Sequence, residues 1–327
     1  MTKEFEDTFQ RLFNHPQFSS VRYEIWKRDA SRDSRAATVF ARQANMAVAN
    51  IFTSPILDST QSKTLFILGS GWSINSLSDE NISHMGSHES VGINFWFFHD
   101  FVPSLFSFDA GKVDDSEKPH LRESLTQLGK LFSRPAIVEK NPKVLYLRPF
   151  QGDTSLLIPI PKSLSAQAWV HGRANFISRT AHALEADIRD VLSRLIDEKL
   201  PPTVLPDNGS SVARLVFLAL AQGFRDIVLV GVDLDAKPHF WFAPSYVEKY
   251  GDYVRLFPKP DNQPHGTTLA INRPTDTLDF LTMLNLAITD LGLGQIWAGS
   301  SESHLSSRLE PYRWPSYDPD GSSAAKT

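Results

Sequence analysis

The chain has 327 residues, 41% hydrophobic and 21% charged, an ordinary globular composition that excludes a disordered or fibrous protein and fits one large α/β domain with an appendage. A formal net charge of −4 gives no basic field to hold a nucleic-acid backbone, so no nucleic-acid partner is expected. With no cysteine, disulfide frameworks and thiolate metal sites are excluded, leaving histidine and carboxylate as the available metal ligands.

The segment from Met1 to His15 is polar and mixed in charge, and no stretch approaches the ~20 apolar residues that cross a bilayer. A cytoplasmic protein is expected, at most peripheral to the inner membrane. Residues 1–62 read as an N-terminal helical extension without strand signals, its helical pattern clearest from Ser34 to Phe52 and its end marked by Thr53, Ser54 and Pro55. The first strong strand is Thr64 to Leu68, which runs at once into Gly69-Ser70-Gly71-Trp72-Ser73 and an expected helix start. Further strands are expected at Ser90 to Ile93, Leu105 to Phe108 and Val144 to Leu147. From Pro149 to Arg179 the composition, rich in Pro, Ser and Gln, predicts irregular connections with a lid-like insertion. Helical spacing returns from Ala183 to Glu198. An almost wholly apolar helix follows at Ser211 to Gln222, capped by Gly223, and leads to a strand at Asp226 to Val230 ending in Gly231-Val232-Asp233. Such a helix must be covered on several sides, which places it inside a layered domain with parallel strands. A helix at Asp276 to Leu291 and a strand at Gln295 to Ala298 complete the expected domain, residues 63–312, before a polar tail, 313–327.

Four constellations could carry chemistry. Gly69-Ser70-Gly71 after a strand lets backbone approach a nucleotide, or makes only a tight turn; the run is neither a full GxGxxG nor a Walker A loop. Asn94 ends the second expected strand, where open α/β sheets place a ligand crevice; it can both donate and accept hydrogen bonds, or simply form the turn. Gly209, Ser210 and Ser211 precede the apolar helix as its cap and could equally hold a carboxylate or phosphate. Asp233 and Asp235 follow the buried strand, where a carboxylate orients a ribose, holds a metal or fixes a loop. Separately, His265 stands in the loop Gln263-Pro264-His265-Gly266-Thr267, and an imidazole there can act as a general base at neutral pH. GxSxG and HExxH are both missing, which disfavours hydrolase readings.

Taken together, Leu65-Phe66-Ile67-Leu68-Gly69-Ser70-Gly71-Trp72-Ser73, Gly92-Ile93-Asn94 and the segment from Gly209 to Asp233, with its eight-residue interval between Gly223 and Gly231, resemble the bacterial sialyltransferase family exemplified by the Campylobacter lipooligosaccharide enzymes. They also look like the related motility-associated flagellin glycosyltransferases. The resemblance spans about residues 64 to 310. It implies a Rossmann-like α/β fold of the GT-A-variant type, a mostly parallel sheet flanked by helices, with a lid-like insertion. It further implies an inverting transferase that moves a sialic-acid-type sugar from a CMP-activated donor to a glycan hydroxyl without a metal, and that could associate as a homo-oligomer. Under it, Gly69, Ser70, Gly71, Trp72 and Ser73 line the donor nucleotide, while Asn94 and Ser107 or Asp109 contact the cytidine and sugar. Ser210 and Ser211, beside Gly209, face the sugar carboxylate, Gly231 and Asp233 close the donor site, and His265 is the base.

The chain departs from the family at the leaving group. The two tyrosines that serve there align with Asp235 and near Phe240 or Trp241, with His239, Tyr246, Tyr250 or Tyr253 as substitutes from the same loop. Two alternatives therefore stand beside the transferase: a magnesium-dependent pterin pyrophosphokinase using Asp233 and Asp235, and a non-catalytic nucleotide- or glycan-binding module.

Overall fold

The computed structural model describes residues 13–109, 118–149, 153–257 and 274–315. His265 and the tail beyond Pro315 lie outside them. Nine strands form the sheet: β1 (Ala47–Val48), β2 (Thr64–Leu68), β3 (Glu89–Ile93), β4 (Leu105–Phe108), β5 (Lys143–Leu147), β6 (Ala168–Asn175), β7 (Val204–Asp207), β8 (Asp226–Val230) and β9 (Gln295–Ala298). Their order is β1-β6-β5-β4-β3-β2-β8-β9, with β7 also on β6, and every pairing is parallel. This is the α/β class expected from the sequence.

Parallel strands covered on both faces need apolar residues at every position, and β2 shows why the run Leu65 to Leu68 is continuous. Leu65 and Ile67 join one core, and Phe66 and Leu68 the other. The helices that cover these faces are α1 (Ser19–Ala44), α2 (Asp79–Gly86), α3 (Lys118–Phe132), α4 (Ala181–Ile196), α5 (Ser211–Ala221), α6 (Pro244–Val254) and α7 (Thr277–Asp290). Helix α5 is buried almost all round, from Ala213 to Ala219. It stops where Gly223 takes the left-handed φ of +84° and the Phe224 amide bonds back to Ala219.

Three expectations are corrected. The N-terminal segment is not strand-free: α1 wraps the sheet edge, with Tyr23, Trp26 and Ala30 in one core and Ala37, Phe40 and Ala41 in the other, and then supplies β1. The helix after the glycine loop begins at Asp79, with Ser78 and Asn81 forming a capping box; Trp72–Ser76 is a short 3-10 turn. The stretch 149–179, expected to be irregular, contains β6, the strand that joins β1 and β7 to the rest of the sheet. Its pattern, Ala-Trp-Val-His-Gly-Arg-Ala-Asn, is interrupted by His171 and Arg173, polar side chains turned into the protein and held by other charges.

The chain builds outward from β2 through β3, β4, β5 and β6, then returns to lay β8 and β9 on the other side of β2. The strand order therefore reverses between β2 and β8. In open α/β sheets the crevice outside the carboxyl ends of such a pair is where ligands bind.

Candidate functional site

A cleft opens at that point, about 730 Å³ when the open solvent at its mouth is included. Its walls are Gly69, Ser70 and Gly71 after β2, Ile93 at the end of β3 and Asn94 after it, Ser210 to Val212 at the start of α5, and Gly231 to Asp235 with Lys237 and His239 after β8. Gly71, Asn94 and Ser211, far apart in sequence, thus share one cavity.

The β2 and β8 loops are bolted together. The Gly69 amide donates to the Val230 carbonyl (2.7 Å) and the Gly71 amide to that of Gly231 (2.6 Å). A Cβ on Gly69 would strike the Gly231 carbonyl, and one on Gly71 the Asp233 carboxylate. The glycines are thus required by the approach of one loop to the other. Ser73 completes the clamp: its amide and hydroxyl both donate to the Asp233 carboxylate, at 2.7 and 2.5 Å. Burial pushes the Asp233 carboxyl above the ordinary aspartate range, and the two Ser73 bonds pull against that shift.

This arrangement alters several expected roles. Ser73 is buried, spent on Asp233 and not on the cleft wall. The amides of Gly69, Gly71 and Ser73 are all used internally, so the loop does not cradle a phosphate through them. Both oxygens of Asp233 likewise accept a hydrogen bond from Ser73. Among the described residues no group of three or more His, Asp or Glu side chains could hold a metal ion.

The anion-attracting feature sits across the cleft. The first amides of a helix have no intrahelical partner and carry the positive end of its dipole. In α5 the N-cap residue Ser210 makes no side-chain capping bond, and Ser210, Ser211 and Val212 face the cavity. Gly209 is not on the wall; at φ +74° it makes the turn, its amide bonded to Asp207 at 2.8 Å. Asn94 takes the left-handed φ of +50°, a conformation its short polar side chain tolerates. Its side-chain oxygen accepts the Asp109 amide (3.0 Å), so the NH2 group is what Asn94 offers to a ligand's acceptor.

Ser107 is buried and reaches the site only through its carbonyl, which accepts the Asn94 amide at 2.8 Å. Asp109 turns to the Arg214 guanidinium and accepts the Ser211 hydroxyl at 3.3 Å. Trp72 is off the cleft wall. Trp241 is buried in an aromatic cluster, stacked on Phe98 and on His239, and is not on the cleft wall. His239 does line the cleft; its Nδ1 lies 3.3 Å from the Ser70 carbonyl, which can only accept, so that nitrogen carries a proton and Nε2 is the basic one.

Two groups escaped the sequence reading. Lys237 lines the cleft, and its ammonium lies 3.5 Å from the Asp235 carboxylate. Behind Ser211, the buried Arg214 binds Asp207 (2.8 Å), Asp109 and the Ser211 hydroxyl (2.9 Å). Arg214 was hidden because an arginine in an apolar helix reads as a solvated position.

No protein-family model and no curated protein sequence matches the chain. Among solved structures it is similar to the monofunctional alpha-2,3-sialyltransferase Cst-I from Campylobacter jejuni, at 13% identity and TM-score 0.39 over 81% of this chain and 86% of that one. It is also similar to the Campylobacter jejuni sialyltransferase CstII in complex with the substrate analogue CMP-3FNeuAc, at 12% identity and TM-score 0.37 over 77% of this chain and 86% of that one. A third similar structure is the same sialyltransferase with a trisaccharide acceptor and CMP, at 11% identity and TM-score 0.36 over 77% of this chain and 86% of that one.

Proposed function

We propose that the chain is a sialyltransferase-like glycosyltransferase that takes its sugar from a CMP-activated donor. The observation that carries the reading is the shared cleft at the point of strand reversal, where the open N-terminus of α5 faces the loops after β2 and β8. A nucleotide there would set its phosphate toward the α5 amides, and the Asn94 NH2 group would meet an acceptor on the base or sugar. Ser211, fixed by Arg214, would contact the sugar.

In the reaction the acceptor oxygen forms a bond to the anomeric carbon as the bond from that carbon to the phosphate oxygen breaks, and the configuration inverts. His265 is the proposed acceptor of the hydroxyl proton. His239, with its Nδ1 proton engaged by Ser70, would meet the departing phosphate only with a second proton on Nε2, since an N–H is what donates to an anion. No step requires a metal, and the engagement of Asp233 with Ser73 fits that economy.

The test is thermal shift with CMP, UDP, GDP and ATP, each with magnesium or with EDTA. A rise in melting temperature with CMP that survives EDTA is expected, since a ligand that binds only the folded state stabilises it. Stabilisation by ATP with strict magnesium dependence, or by no nucleotide at all, would refute the proposal. His265→Ala should abolish transfer and keep the CMP shift.

A further inference from the structure

Among the described cleft-lining residues Lys237 is the only lysine or arginine. It sits two residues beyond Asp235, whose carboxylate accepts the Lys237 backbone amide (3.1 Å) and pairs with its ammonium (3.5 Å). The first contact is an Asx-type turn, which fixes the backbone of this loop segment. The second holds the ammonium beside Asp235, and both residues line the cavity. Both side chains keep contact with solvent, 24% exposed for Asp235 and 47% for Lys237. Such a pair is worth at most about 1 kcal/mol, so a ligand can exchange it at little cost. The charge of Lys237 also reaches the clamp between the loops, where it acts on Asp233 in the direction opposite to Asp235.

We infer that Lys237 is the phosphate-binding cation of this site, held ready by Asp235 and transferred to the ligand's phosphate when the nucleotide binds. The inference rests on the nucleotide reading given above and deepens it, because it adds a fixed cation to the α5 amides and His239 that face the leaving phosphate. Breaking the bond between anomeric carbon and phosphate oxygen leaves an added negative charge on that oxygen. An ammonium already on the wall stabilises the charge as it develops. Asp235 then serves as a positioning residue. Its own charge is offset by Lys237 in the free protein, which answers how a carboxylate can stand beside an anionic ligand.

The experiment is calorimetric titration of the full chain with CMP and with cytidine, which differ only in the phosphate. Lys237→Gln should weaken CMP about tenfold, equivalent to about 1.4 kcal/mol, while cytidine affinity stays unchanged. Lys237→Arg should restore most of the loss. Raising salt should weaken CMP binding less in Lys237→Gln than in the native protein, because one screened charge contact is gone. Asp235→Asn should tighten CMP, since it frees the ammonium and removes a like charge. Equal CMP affinity in Lys237→Gln and the native chain, with an unchanged salt response, overturns the inference and leaves the nucleotide site standing. An equal loss for CMP and cytidine also overturns it, by showing a general effect on the loop. A native chain that binds neither compound overturns the nucleotide reading and this inference with it.

Discussion

At the scale of single residues, the site depends on backbone being brought against backbone. Gly71 has no room for a side chain: an added Cβ would fall on the Asp233 carboxylate and within 2.8 Å of the Gly231 carbonyl. Gly71→Ala should therefore destabilise the fold by about 1–3 kcal/mol, the range for forced overpacking, and should weaken nucleotide binding as the two loops part. Urea denaturation measures the first effect and titration with CMP the second. Gly251 in α6 is the control, because an added Cβ there meets nothing within 4 Å. Gly251→Ala should be neutral or raise stability by up to about 1 kcal/mol through the gain in helix propensity. If both variants behave alike, the close approach of the loops is not what fixes Gly71. The importance of Gly69 and Gly71 was legible in the sequence, but its cause was not. A glycine that admits a ligand and a glycine that admits another loop look the same until the partner strand is known, and β8 lies some 160 residues away along the chain.

At the scale of elements, the central strands and α5 could be read directly because they are covered on both faces and obey simple apolar patterns. β2, β4 and β8 begin and end where the sequence places them, and so does the edge strand β9, whose burial alternates. β6 and β7 could not be read, for a physical reason that also matters to the site. Their inward positions carry polar side chains, with Asp207 1% exposed and His171 2%. Pro206 in β7 further masks a strand that pairs only with β6. Of these, Asp207 meets Arg214, whose guanidinium also faces Asp109. Asp207 in turn holds the amides of Gly209 and Ser210 at 2.8 and 3.3 Å, which forms the entry to α5. Arg214→Met should cost about 3–5 kcal/mol in a urea melt, because it strands two carboxylates in a low-dielectric setting. Pairing it with Asp207→Asn should recover part of that loss. A cost under 1 kcal/mol for Arg214→Met would show that the two carboxylates do not depend on it.

At the scale of the whole molecule, the same charges link the N-terminal helix to the cleft. Asp33 of α1 pairs with Arg148 and accepts the Arg173 amide at 2.7 Å; the Arg173 guanidinium lies 3.8 Å from Asp207, and Asp207 leads through Arg214 to Ser211. A Cβ on Gly172 would collide with Asp33, so strand and helix are fitted to one another at this point. His171 lies inside the network, near Arg214, Asp109 and Asp207, its Nδ1 donating to the Gly172 carbonyl at 2.8 Å. Burial, reinforced by Arg214, lowers its pKa from 6.5 to about 4. The ring is therefore neutral in the folded protein at pH values where the unfolded chain already binds a proton. Its contribution to stability is complete above pH 6.5 and is lost as pH falls from there toward 4, amounting to about 2 kcal/mol by pH 5. His99, also lowered to about 4 by burial, acts in the same window, so the test must be a difference. Urea melts of the native chain and of His171→Asn between pH 7.5 and 5 should show a shallower fall in stability for the variant. Parallel curves would mean that the imidazole takes up its proton without disturbing the network, and that the ionic link from α1 to the cleft tolerates an added charge at its centre.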